Sequence, residues 1–153
     1  MPTKGTSLEK KVEKQFRRLG YSTERNHYIY DKNNSKSEID VYAKKYLGLK
    51  RRYIECKDYH ENIPLKELAK FKEVLSQNKI SRRKAFFIYH GKLTERCKYT
   101  GIRLMDYKTL KKKISRIVWG KRALFAGAIT AAYYHKELYD YGLQIFEKIQ
   151  DIF

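Results

Sequence analysis

The hydrophobic period of the chain changes at Gly20, and this change limits what the chain can fold into. Before it, Leu8, Val12, Phe16 and Leu19 recur at the spacing of one helical face. After it come short runs in which apolar and polar residues alternate, the pattern of strands with one buried face. Helical and alternating segments then follow one another along the chain, so the sequence predicts an α/β fold.

Start and stop signals place the individual elements. The residues from Thr6 to Glu9 form a capping box that opens the first helix, and Gly20 ends it. Pro64 is predicted at the first position of a second helix, and Thr94 is predicted to cap a short third one. Strands are predicted at residues 28–30, 38–43, 52–57, 85–89 and 102–105. The resulting order is αβββαβαβ.

The sequence after Tyr107 has a helical pattern, and we expect a C-terminal helical appendage of two or three segments, with a break at Gly120. Within it, the run from Ala123 to Tyr134 is uncharged over 12 residues, whereas a bilayer needs about 20 apolar residues. We therefore predict a buried helix there and no membrane span. The expected domains are a compact core, residues 1–112, and the appendage, residues 113–153.

Basic residues far outnumber acidic ones in this chain. Its 153 residues include 35 Lys and Arg against 17 Asp and Glu, a net charge of +18. Residues 114–153 hold five basic and four acidic residues, so residues 1–113 carry +17 of this charge. Such a charge repels itself unless a polyanion neutralises it. Nucleic acid is therefore the first partner to consider, and the core is the part expected to bind it.

The two cysteines, Cys56 and Cys97, stand 41 residues apart and lack the spacing of a zinc site or a disulfide framework. We therefore expect reduced thiols. The lysines near the N-terminus are not followed by an apolar stretch, so no secretory signal is expected. Both observations lead us to expect a cytoplasmic protein. The sequence has no GxxxxGK[ST] or GxGxxG motif, so no nucleotide cofactor is expected.

Acidic and basic side chains fall on one face of two neighbouring predicted strands. Residues two apart in a strand share a face, so Glu55 and Lys57 point the same way while Cys56 points into the packed layer. If the strands pair as a hairpin, Asp40 on the preceding strand comes close to Glu55, and the two carboxylates can bind one metal ion. Mg²⁺ prefers oxygen ligands, and the main-chain carbonyl of Cys56 is a further candidate ligand. Because phosphodiester hydrolysis uses a metal-bound water and a nearby cation, this face is the predicted active site.

These motifs resemble those of the PD-(D/E)xK nuclease superfamily, which has the restriction-endonuclease-like fold. The resemblance is to its Mrr-like type IV restriction branch and to the archaeal Holliday-junction resolvases. The proline of the family name is absent, since Ile39 precedes Asp40. The predicted αβββαβαβ order agrees with the mixed central sheet flanked by helices of that fold. The matching segments span about residues 5–112: Leu8-Glu9 through Val12, Gly20-Tyr21, Glu38 through Val41, Tyr53 through Lys57, and Leu93-Thr94 with Ile102 through Leu110.

The resemblance implies that Asp40 and Glu55 bind the metal, with Mg²⁺ the expected ion and Mn²⁺ a substitute. Lys57 is then the catalytic lysine, and Glu9 is the helix-one carboxylate that supports the site. Mrr-like members often have Gln where this chain has Glu55, and Glu is closer to the resolvase pattern, so the branch stays open. Two plainer interpretations compete: Glu9 as a capping-box acid, and the strand residues as a solvated ion pair.

Basic residues of the turn near the site and of two loops are candidate contacts to the phosphate backbone of DNA. Each of them is also explained by an ordinary solvated loop. The set comprises Lys32, Lys36, Arg51, Arg52, Arg82 and Arg83.

Together these features predict a metal-dependent DNA endonuclease, restriction-type or junction-resolving, that acts on duplex or branched DNA. Two cuts need two sites, so we expect a homodimer, with the charge-poor appendage as its interface. The alternative is a non-catalytic nucleic-acid-binding protein that retains the fold. A tRNA-splicing-type endonuclease on the same fold needs no metal and no paired carboxylates, and RNA cleavage in EDTA would favour it.

Overall fold

A computed structural model describes residues 4–150 of the chain. The predicted ranges 1–112 and 113–153 therefore both extend beyond the described residues. Two short 3₁₀ helices occupy Arg82–Lys84 and Glu95–Thr100. The main elements are α1 (Lys4–Arg18), β1 (Ser22–Tyr30), β2 (Lys36–Lys45), β3 (Lys50–Ile63), α2 (Leu65–Gln77), β4 (Ala85–Leu93), β5 (Arg103–Asp106) and α3 (Tyr107–Gln150).

The five strands form one mixed sheet in the order β1-β2-β3-β4-β5. The first three strands pair antiparallel, whereas β3, β4 and β5 pair parallel. The connection from β3 to β4 contains α2, and that from β4 to β5 contains the second 3₁₀ helix. The αβββαβαβ order and the mixed sheet flanked by helices are confirmed, with a 3₁₀ helix as the predicted short third helix.

Helices α1 and α2 each bury one apolar face, although Leu19 after α1 is only half-buried. In α1, Leu8, Val12 and Phe16 are buried, and the Phe16 ring meets the Phe86 ring of β4 edge to face, with 6.1 Å between centroids. In α2, the buried residues belong to a cluster that also contains residues of the sheet and of the loop before β5. The members of this cluster are Ile39, Ile63, Leu68, Phe71, Leu75, Ala85, Phe87, Cys97 and Ile102.

Element boundaries differ from the predicted ones, mostly at their starts. Helix α1 begins at Lys4, so the predicted capping box at Thr6 is wrong. Pro64 precedes α2 as its N-cap residue in extended conformation, so its predicted place at the first helical position is also wrong. Thr94 is the N-cap residue of the second 3₁₀ helix, but its hydroxyl makes no capping bond and instead lies 3.1 Å from the Cys97 thiol. Gly20, at φ +82°, follows α1 as predicted, and Gly101, at φ +74°, follows the second 3₁₀ helix.

Helix α3 runs through Gly120 without a break, so the predicted division of the appendage into two or three segments is wrong. The chain separates into two compact units, residues 1–115 and 116–153. In the first, the start of α3 buries Leu110 and Ile114. In the second, the whole predicted buried stretch Ala123–Tyr134 is exposed, which corrects that prediction. Within the described residues, no helix is long and apolar enough to cross a bilayer.

Candidate active site

The hairpin of β2 and β3 brings Asp40 to the strand that carries Glu55 and Lys57. Its ladder runs from Lys45 opposite Lys50 to Val41 opposite Ile54. Just beyond the last of these pairs, the main-chain amide of Cys56 donates a 2.7 Å hydrogen bond to Oδ2 of Asp40. The carboxylate is therefore fixed against the middle residue of the Glu-Cys-Lys tripeptide, as the hairpin interpretation of the sequence required.

Lys57 is held between two carboxylates. Its Nζ lies 2.8 Å from Oε1 of Glu55 on the same strand and 3.7 Å from Oε2 of Glu67 on α2. The side chains of all three residues are largely withdrawn from water, with exposed fractions of 26%, 15% and 21% for Lys57, Glu55 and Glu67. Removal from water strengthens these ion pairs and makes any unpaired charge costly.

A cleft of about 350 Å³ opens over these residues. The first position of β2 supplies Lys36, and α2 supplies Lys70, so the acidic floor of the cleft has lysines at its sides. Its lining residues are Lys36, Ser37, Glu38, Asp40, Glu55, Lys57, Lys70, Phe71 and Val74. A cleft with an acidic floor and basic sides suits a phosphate that is held together with a cation.

The carboxylates of the cleft disfavour each other's ionisation. Burial and the negative charge of Asp40 together raise the pKa of Glu55 to about 7, against the opposing effect of Lys57. Burial also raises the pKa of Asp40, although the Cys56 amide and Lys57 counteract it. A cation bound between the two carboxylates would lower both of these pKa values.

The pKa values of Lys57 and Glu9 are also raised, and in both cases nearby charges of the cleft contribute. Burial lowers the pKa of Lys57, but Glu55, Asp40 and Glu67 outweigh it and raise this pKa above its ordinary value, so the ammonium group stays charged. Burial raises the pKa of Glu9, and the charge of Asp40 raises it further. Glu9 on α1 is thus close enough to Asp40 to sense its charge, as the prediction of a supporting carboxylate requires.

The donor set fits a hard divalent cation that keeps several waters. The hydrogen bonds described above use one oxygen of Asp40 and one of Glu55, which leaves one oxygen of each for a metal. Burial raises the pKa of the Cys56 thiol well above its ordinary value, so only the main-chain carbonyl of that residue suits Mg²⁺. Among the described residues, no three His, Cys, Asp or Glu side chains cluster as a complete metal site. Mg²⁺ commonly needs only one or two carboxylates, with water as the remaining ligands.

The structure brings only part of the predicted DNA-binding set to the cleft. Lys36 lines the cleft, and its ammonium group stands 3.5 Å from the centre of the Tyr28 ring. Lys32 is exposed in the adjoining turn, where the Asp31 carboxylate accepts the main-chain amides of Asn33 and Ser35. The four arginines instead lie at or just before the amino ends of β3 and β4, away from Lys57: Arg51, Arg52, Arg82 and Arg83.

Sequence reasoning missed Glu67, the second carboxylate on Lys57. An acidic residue in the first turn of a helix is ordinarily explained by the helix dipole, so its position carried no signal of a site. It also missed Glu38 and Lys70, which line the cleft. Glu13, about one turn after Glu9 on α1, forms ion pairs with Arg17 at 2.8 Å and with Arg25 at 3.3 Å.

Comparison with known proteins identifies a family for this chain. The model of the Mrr_cat restriction endonuclease family matches residues 3–114, a range that includes every residue of the cleft. Among the curated proteins, none matches the chain.

A solved structure shares the fold. The crystal structure of a protein of unknown function, AF1548, superposes with a TM-score of 0.53 at 20% sequence identity. The match covers 67% of this chain and 57% of that protein, so this chain spans little more than half its length. At this identity the likeness concerns the fold alone.

Proposed function

The chain belongs to the Mrr_cat restriction endonuclease family, and we propose that it is a metal-dependent DNA endonuclease that hydrolyses phosphodiester bonds. One observation carries the proposal. Asp40, Glu55 and Lys57 meet in a cleft where two partly buried carboxylates repel each other and one ammonium group stays charged. The net charge of +18 adds the affinity for a polyanion that a nuclease needs.

Asp40, Glu55 and the main-chain carbonyl of Cys56 are the residues that we propose to hold the metal. Mg²⁺ is the expected ion, and Mn²⁺ takes the same oxygen ligands. When bound, such an ion lowers the pKa of its water and neutralises charge on the phosphate that is cut. Its positive charge also offsets the mutual repulsion of the two carboxylates that raises the pKa of Glu55.

The remaining residues act through charge and position. Because the pKa of Lys57 is raised, this side chain is not the base that takes a proton from water. We assign it to stabilise the negative charge that develops on the phosphate oxygens. Glu9 supports the site from α1 through its charge beside Asp40. The lysines at the sides of the cleft, Lys36 and Lys70, are placed to hold phosphates of the substrate strand.

The experiment that tests this function offers three DNA substrates to the protein: supercoiled plasmid, linear duplex and a four-way junction. Each is incubated with Mg²⁺, Mn²⁺ or EDTA. We expect cleavage with either metal and none in EDTA, and the preferred substrate separates the restriction-type from the junction-resolving interpretation. If the protein binds all three substrates and cuts none, the alternative of a non-catalytic nucleic-acid-binding protein replaces this proposal.

We further propose that residues 1–112 form the nuclease domain and that residues 113–153 mediate a homodimer. The part of α3 in the second unit exposes large apolar side chains, and residues 114–153 carry a net charge of only +1. An exposed apolar surface of low charge suits self-association without the repulsion between two basic cores. The exposed set comprises Ile117, Trp119, Leu124, Phe125, Ile129, Tyr133, Tyr134 and Tyr139.

Sedimentation of the full chain at physiological salt tests the homodimer. The wild type should sediment as a dimer, and Leu124→Glu with Ile129→Glu should sediment as a monomer that keeps its helix content. The matched control, Lys121→Glu with Lys136→Glu, changes two exposed positions of the same helix that are already polar and should stay dimeric. A monomeric wild type would contradict this assignment.

A further inference from the structure

Two adjoining hollows lie between α1 and the start of α3, outside the cleft of the candidate active site. One measures about 440 Å³ and the other about 550 Å³, and they share Lys11, Tyr107 and Lys111. We call the two together the lysine hollow. Its complete lining is Lys11, Lys14, Gln15, Arg18, His90, Tyr107, Lys108, Lys111, Lys112 and Ser115.

The lysine hollow has an uncompensated positive charge. Five lysines and one arginine line it, and none of its lining residues is acidic. Among the described residues, none of these six basic side chains has a carboxylate partner within ion-pair distance; Arg18 instead donates to the Gln15 side chain at 3.0 Å. The first turn of α3 is already capped, since Oδ2 of Asp106 accepts the amides of Lys108 and Thr109. The lysine side chains, and not the amides at the start of α3, therefore provide the positive charge that attracts an anion.

One lining residue of the lysine hollow, His90, pairs in the sheet with Asp58, the residue after Lys57. Lys57 pairs with Tyr89 in the parallel ladder, and Tyr89 pairs with Asp106, the residue before α3. Next to them, Nδ1 of His90, a lining residue, lies 3.4 Å from Oδ1 of Asp58. Asp106 is thus two strands, about 10 Å, from Lys57, and one DNA strand carries about three phosphates over that distance along its axis.

From this placement we propose that the lysine hollow binds the phosphate backbone of the DNA substrate a few nucleotides from the phosphate that is cut. The inference rests on the proposed function and deepens it, because it gives the substrate strand a second point of attachment at the same edge of the sheet. The arginines predicted from the sequence lie at the amino ends of β3 and β4 and cannot make this contact. The lysine hollow lies at the carboxyl ends of these strands.

The test compares two double variants that remove equal charge from the same two helices. Lys11→Gln with Lys111→Gln removes the lysines that both hollows share. Lys10→Gln with Lys113→Gln changes exposed neighbours that do not line either hollow. Binding of a labelled duplex is measured in EDTA over a range of salt concentrations. The hollow variant should lower the slope of log affinity against log salt by about 1 to 2, since each phosphate contact contributes about 0.9. The control should lower it by less than half as much.

A second arm locates the contact. Each phosphate near the cut is replaced in turn by a neutral methylphosphonate, which removes one backbone charge. At one or two positions the replacement should weaken binding of the wild type and of the control but leave the hollow variant unchanged. If no position distinguishes the hollow variant, or if its salt slope equals that of the control, the hollow is not a backbone contact and the inference fails.

Cleavage by the same variants separates this inference from the proposed function. With too little protein to saturate the duplex, the hollow variant should cut more slowly than the wild type because it binds less DNA, whereas the control with Lys10→Gln and Lys113→Gln should cut about as fast as the wild type. A wild type that binds but never cuts overturns the nuclease proposal, while the difference in salt slope still supports the lysine hollow as a backbone site. A wild type that cuts, together with indistinguishable variants, overturns only the inference.

Discussion

The carboxylate of Asp40 accepts a hydrogen bond from the main-chain amide of Cys56, with 2.7 Å between the two atoms. This bond joins two segments that are 16 residues apart in the chain and makes the acidic residue of β2 part of the Glu-Cys-Lys strand. Hydrogen bonds to an ionised group are stronger than those between neutral groups, so this bond fixes the carboxylate in place before any cation arrives.

Metal binding should stabilise the fold through Asp40. A ligand that binds only the folded state adds free energy of unfolding, about 2.7 kcal/mol at one hundred times its dissociation constant. We expect Mg²⁺ to raise the thermal unfolding midpoint of the wild type at pH 8 and to have little effect on Asp40→Asn. The control Glu73→Gln, on the exposed side of α2, should keep the full Mg²⁺ effect. An equal effect of Mg²⁺ on all three proteins would mean that the ion binds elsewhere.

Glu55→Gln should abolish metal-dependent cleavage, and in the absence of metal it should stabilise the protein at high pH. Because the folded-state pKa of Glu55 is about 7, against 4.5 for an ordinary Glu, the folded state holds this proton more tightly than the unfolded chain. Its stabilising contribution is complete below about pH 4.5 and is lost as the pH rises to about 7. Gln carries no such penalty, so we expect a gain of roughly 1 to 3 kcal/mol at pH 8 and little gain at pH 4.5. Denaturant unfolding in EDTA at the two pH values measures it, and an equal gain at both would contradict the account.

Glu67→Gln should shift the pH dependence of cleavage. The charge of Glu67 raises the pKa of Glu55, so its removal should let Glu55 ionise at lower pH. We expect the acid limb of the pH–rate profile to move towards lower pH, with little loss of rate at pH 8. Glu73→Gln on the same helix serves as the control and should leave the limb where it is. A limb that moves towards higher pH would show that Glu67 acts mainly by holding Lys57 in position.

Gly120→Ala should increase stability, because α3 passes through Gly120 as a regular helix. A Cβ at Gly120 meets nothing within 4 Å, and Ala exceeds Gly in helix propensity by about 1 kcal/mol. In contrast, Gly101→Ala should destabilise, since Gly101 has φ +74° and its Cβ would stand 3.2 Å from Nη1 of Arg82. Circular dichroism during urea unfolding compares the two. If Gly120→Ala instead loses helix content, α3 is not a regular helix at Gly120, and the break predicted from the sequence is present.

Local patterns in the sequence predicted which side chains come together in the cleft better than they predicted the limits of the elements. Alternation of side chains placed Glu55 and Lys57 on one face, and the short connection to β2 made a hairpin with Asp40 the natural pairing. Strand β1 was predicted only at residues 28–30 because its earlier half is polar, yet pairing with β2 holds it from Ser22 onwards. Pairing between strands is a tertiary effect that a short polar segment does not reveal.

Other features depend on contacts that no local pattern encodes. Glu67 reaches Lys57 only because α2 packs against the sheet through Leu68 and Phe71. The exposed stretch Ala123–Tyr134 was predicted to be buried because an apolar helix usually covers a core. Sequence periodicity identifies an apolar helix but does not tell whether its partner lies in the same chain.

Single-turnover cleavage of supercoiled plasmid, with wild type, Asp40→Asn, Lys57→Gln and the control Lys72→Gln, tests the central claim most directly. We expect wild type and control to cut in Mg²⁺ or Mn²⁺ but not in EDTA. Both site variants should still bind the plasmid but lose at least about 100-fold in rate, the cost of removing one group that stabilises developing charge. Undiminished metal-dependent cutting by Asp40→Asn and Lys57→Gln would contradict the account, because the active site would then lie elsewhere in the chain.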